Sequence, residues 1–145
     1  MEEYKSRPSG AVSGLNEYHL RKISVFLCEI EKSLNLVEIY IKNNLSGRMY
    51  IIENNLTPEE KEDLLESIAM LKKCICEFAE ELKLKPITEG LHEIIRGYYT
   101  INWADLYEIA PEKLNSYGEI GMEAIEPLNY FINKLKNLFE ISKKL

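Results

Sequence analysis

The sequence predicts an all-α protein, a four-helix up-down bundle whose first helix is kinked or briefly broken near Ser46-Gly47. Three observations carry this. Leu20, Ile23, Leu27, Ile30, Leu34, Val37 and Ile41 step along the chain in alternating threes and fours, the spacing that keeps an apolar stripe on one side of a helix. Leu64, Ile68, Leu71, Ile75, Phe78 and Leu82 repeat it. No alternation of apolar and polar residues competes: the one β-leaning patch, Met49 to Ile52, is too short.

Each element has its own local signal. The first helix is expected from about Leu15 or Asn16, its stripe passing Ile41 to Leu45, Met49, Ile52 and Leu56. Gly47 weakens it by about 1 kcal/mol relative to Ala, and Asn54-Asn55 ends it, since Asn tolerates left-handed cap geometry. Thr57-Pro58-Glu59-Glu60 opens the second helix: Thr caps, Pro suits the first helical position and Glu60 completes a capping box. That helix reaches about Leu84, before Pro86. A third starts near Thr88, is ambiguous over 100–105 and stops before Pro111. A connector with at most one helical turn follows to Gly121. The last helix carries Ile125, Leu128, Ile132, Leu135 and Phe139, with Pro127 in its first turn or bending it. Short connections after the second and third helices favour up-down order.

The 145 residues suit one domain, expected over 15–145 after a loose arm at 1–14 that holds Pro8, Gly10 and Gly14. A net charge of −6 argues against nucleic acid, whose phosphates require a basic stripe. The acidic cluster Glu59, Glu60, Glu62, Asp63 and Glu66 stands at a helix start. Lys134, Lys136, Lys143 and Lys144 stand towards a helix end. Both placements suit the helix dipole. No apolar run nears the ~18 residues that span a bilayer, so no membrane partner is expected. The first residues lack the apolar core of a secretory signal. Cys28, Cys74 and Cys76 are odd in number, which points to free thiols and a cytoplasmic location. Cys74 and Cys76 project roughly 160° apart on a helix, which rules out a shared metal.

The third helix holds the candidate site. Leu91, Ile95, Tyr98, Leu106 and Ile109 form its apolar face, and Asn102 and Asp105 fall on that face. Either the helix breaks near Thr100 and Asn102 caps a new segment from Trp103, or the helix is continuous and Asn102 and Asp105 form a buried polar site, which needs partners. A second stripe, His92, Arg96, Tyr99, Trp103 and Tyr107, runs along one flank. Arg, Tyr and Trp dominate interface hot spots, so this flank is the expected surface for a homo-oligomer or another protein. The competing reading packs it inside the monomer. The function expected from these residues is a non-catalytic interaction or assembly module with no cofactor.

Three resemblances supply alternatives. Glu89-x-x-His92 is similar to the unit of di-iron bundles, but no second such pair accompanies it, so no metal is expected. Glu77-x-x-Glu80 followed by Asn102-x-x-Asp105 resembles the magnesium-binding motif of all-α nucleotide pyrophosphohydrolases, with Asn102 where that family has Glu. This implies a magnesium-dependent nucleotide hydrolase using Glu77, Glu80 and Asp105, although the first pair points away from its seam. The chain also resembles histidine phosphotransfer bundles in architecture only: the Arg96-Gly97 after His92 stands one residue later than that family's Lys-Gly, and His19 has Lys22 followed by Ile23 where the family has a small residue.

Overall fold

A computed structural model of the chain describes residues 14–142, and every regular element among them is helical. Four are long: α1 (Glu17–Lys42), α2 (Pro58–Glu81), α3 (Leu91–Asp105) and α5 (Met122–Ser142). The one-turn α4 (Pro111–Leu114) lies in the expected connector, between 3₁₀ turns at Leu106–Ile109 and Asn115–Tyr117. The chain divides at Ile87/Thr88 into two compact units. Residues 1–13 of the expected arm, and Lys143 and Lys144, lie outside the described residues.

In the first unit α1 and α2 pair antiparallel: Ile23, Phe26 and Ile30 share a groove with Leu71, Cys74 and Phe78. The start of α1 is set by Asn16. Its side-chain oxygen accepts the His19 backbone N–H at 2.9 Å, and its own N–H donates to His19 Nδ1 at 3.1 Å. This reciprocal box satisfies two donors that a helix start otherwise leaves orphaned. α2 opens at the expected Thr57, whose Oγ1 accepts the Glu60 N–H at 3.1 Å, with Pro58 in the first turn; this is the Thr57 half of the expected capping box.

The first helix differs from expectation. It ends at Lys42 and neither kinks at Ser46-Gly47 nor continues to Leu56. The reason is Asn43-Asn44, an earlier pair than Asn54-Asn55. Asn43 is extended (φ −132°, ψ 150°), and its backbone and side-chain N–H groups both donate to the Ile39 carbonyl, at 2.9 and 3.2 Å. Asn44 Oδ1 then accepts the Ser46 N–H, and Ser46 Oγ accepts the Ile52 N–H. These side chains offer the backbone a local alternative to the helix. α2 closes at Lys83, a non-glycine at φ 54°. There the Lys83 and Leu84 N–H groups donate to the Glu80 and Ala79 carbonyls, the pairing of a Schellman motif.

Leu27, Ile41 and Ile68 are buried in this unit. On α2 the residues turned towards α1 are Leu65, Ile68, Lys72, Ile75 and Ala79, all buried or half-buried. Leu64, Leu71 and Phe78 of the expected seam are exposed. Glu38 joins the helices by accepting from Lys72 Nζ at 2.7 Å while also accepting from Lys42 at 3.0 Å. The hydrogen bond from Lys72, then that from Lys42, holds the Glu38 carboxyl below its ordinary value of 4.5.

In the second unit α3 packs on α5, with Leu106 and Ile132 buried. α3 is continuous through Asn102 to Asp105. The break expected near Thr100 is therefore corrected: Asn102 caps nothing, and the chain tightens instead into the 3₁₀ turn after Asp105. Pro111, buried, opens α4 at a position where a missing N–H costs no helical bond. Asn115 Oδ1 accepts the Ile120 N–H, and Gly118 takes φ 150°, so the chain turns into α5. Pro127 lies in the second turn of α5, not the first.

Candidate interaction surface

The aromatic flank of α3 splits in two. Tyr99 meets Phe139 of α5 edge-on, centroids 5.3 Å apart at 72°. Trp103 is half-buried, with Lys136 Nζ 5.9 Å above its ring. Both are half-buried against α5 within the second unit. α5 supplies the aromatic and cationic partners that an outside protein was expected to bring. His92, Arg96 and Tyr107 remain exposed, Tyr107 at 60%. Arg96 Nη2 donates to His92 Nδ1 at 3.3 Å, one turn apart.

Asn102 and Asp105 are also exposed. The expected buried polar site is corrected: no polar or charged side chain is buried among the described residues. The apolar face of α3 is centred away from this pair, since Tyr99, Trp103 and Leu106 meet α5 while Tyr98 is 65% exposed. Glu77 and Glu80 are exposed on α2. Among the described residues no three His, Cys, Asp or Glu side chains stand close enough together to hold a metal ion. His19 serves the α1 cap through Nδ1.

The surface that sequence reasoning missed lies on the first unit. Two grooves flank the Leu27–Ile75 contact. One is partly closed by Leu84, Pro86 and Ile87 at the end of α2. The other is open and lined almost wholly by apolar atoms, with a volume near 500 Å³. Ile23, Ile30 and Val37 on α1, and Leu64, Leu71 and Phe78 on α2, recur at sevens along this side. Phe26, outside both seams, is 63% exposed on it. The signal was present in the seams, but nothing in the periodicity says that two helices alone cover only one half of them.

No helix among the described residues is long and apolar enough to cross a membrane. Comparison with family models, curated proteins and solved structures returned no match to this chain.

Proposed function

We propose that this chain is a non-catalytic helical assembly module of the cytoplasm that works by self-association. The observation that supports this reading is the apolar surface left uncovered on the α1–α2 pair, where Phe26, Leu71 and Phe78 are 63%, 47% and 41% exposed side by side. A contiguous apolar patch rimmed by polar residues marks an interaction surface. The exposed half of the α3 flank, His92, Arg96 and Tyr107, is the lesser surface, because its large aromatic anchors are engaged within their own unit.

Light scattering coupled to size-exclusion chromatography tests the reading. Self-association gives a mass that is a multiple of 16.9 kDa and falls on dilution. A constant mass of one chain at all concentrations removes it. Incubation with nucleotides and magnesium tests the rival hydrolase; turnover lost on Asp105→Ala in a folded protein would replace the assembly reading.

A further inference from the structure

We infer that the open face of the α1–α2 pair takes a second copy of the same face, so that two chains build an antiparallel four-helix bundle from α1, α2 and their symmetry mates. The inference rests on the self-association proposed above and assigns it a surface and a geometry.

Two arguments select a second copy. The first is area. Phe26, Val37, Leu64, Leu71 and Phe78, with Met70 at the rim, are between 39% and 66% exposed. At roughly 200 Å² for each full-sized side chain, they offer about 600 Å² of apolar surface. Half-buried Ile23 and Ile30 and the polar rim bring the face close to the ~800 Å² per partner of a standard stable interface. The face repeats at sevens on both helices, the period by which helices interlock along a seam, so one copy's ridges match the other's.

The second argument is charge. Two two-fold arrangements stack such faces. With the axis across the helices, α2 would lie over its own copy. The acidic start of α2 (Glu60, Asp63) would then meet its acidic end (Glu77, Glu81), an unfavourable like-charge contact. With the axis along the helices, α1 of one copy lies over α2 of the other. Lys22, at the groove's end on α1, then stands over that acidic end. Neighbouring helices are antiparallel in both arrangements, so charge alone decides between them and places the axis along the helices.

The native thiols report on this face. Cys74 lines the open groove, whereas Cys76 lines the opposite one, and both are exposed. The experiment uses the full chain at tens of micromolar, with mass read by light scattering, helicity by circular dichroism and thiol labelling rates by mass spectrometry. The expected result is a dimer in which Cys74 reacts at least several-fold more slowly than in the diluted monomer while Cys76 is unchanged. Leu71→Glu and Phe26→Glu, at exposed positions that leave each helix intact, give monomers of native helicity with the Cys74 protection lost. Lys22→Glu weakens the dimer in a salt-dependent manner. A dimer that survives Leu71→Glu and Phe26→Glu overturns this surface but leaves self-association standing. A wild-type chain that is monomeric throughout overturns both. A dimer strengthened by Lys22→Glu overturns the proposed axis.

Discussion

The two helical units hold themselves together by different means. The α1–α2 pair has long helices, side-chain caps at both starts, an aliphatic seam and the Glu38–Lys72 bridge. The α3–α5 pair has no side-chain cap on α3, a glycine (Gly97) inside that helix, a proline inside α5 and two 3₁₀ turns. It compensates with aromatic contacts, Tyr99 on Phe139 and Trp103 beneath Lys136. Regular seams make helices easy to form but give flat, repetitive faces that two helices cannot close. Aromatic side chains reach further across an irregular junction and finish it locally. The better-formed pair is therefore the one with its face left open.

The sharpest way to break this comparison is to remove a buried side chain from each unit. Ile68→Ala and Ile132→Ala, each at a position 5% exposed, should each cost about 2–4 kcal/mol, read by denaturant unfolding. Phe26→Ala, on the open face, should cost a dilute monomer far less. An equal loss at Phe26 would mean that the face is already covered within the chain. Next in size is Tyr99→Ala, which should destabilise by roughly 2–3 kcal/mol through lost burial and the ring pair with Phe139. The change should leave α1–α2 protection from hydrogen exchange unaltered, since Tyr99 lies in the other unit.

The caps set a smaller difference. Thr57→Ala or Asn16→Ala should cost about 1 kcal/mol, seen as fraying of the helix start in hydrogen exchange. Gly90 caps α3 with no side chain, and Glu93 stands three residues on, its carboxylate turned back towards Gly90. Gly90→Ser adds a capping hydroxyl, but its Cβ meets the Glu93 carboxylate, which must swing aside; the net change should be no more than a few tenths of a kcal/mol, read by denaturant unfolding. The least effect belongs to Glu38. Its carboxyl is held below 4.5 in the folded state by Lys72 and Lys42. Because the folded value lies below the unfolded one, the bridge stabilises above about pH 4.5 and is lost as pH falls through the lowered value. Glu38→Gln should therefore lower the thermal midpoint slightly at pH 7, and the gap from wild type should close in acid.

The legible part of the fold was its periodicity and one cap. Alternating threes and fours identified the helices because apolar burial fixes one side of each, and Thr57-Pro58 marked a start whose chemistry is local. The end of α1 was misplaced because Leu45, Met49 and Ile52 continue the apolar spacing, while two Asn side chains stop the helix by hydrogen bonds that spacing does not register. The site was less legible. Trp103 and Tyr99 have the same composition signature in a core as at an interface, and their contacts with Phe139 and Lys136 come from more than thirty residues away, where helical spacing does not reach. Asn102 and Asp105 fell on a face computed from helical angle, yet the packing of α3 on α5 is centred on the neighbouring flank.

If the open α1–α2 face, not the α3 flank, carries assembly, substitutions on the two surfaces must part company. Sedimentation equilibrium of the full chain beside Leu71→Glu and Arg96→Glu tests it most directly. Assembly through the open face gives a dimer for wild type and for Arg96→Glu, and a single-chain mass near 16.9 kDa for Leu71→Glu. A dimer lost in Arg96→Glu but retained in Leu71→Glu would contradict it.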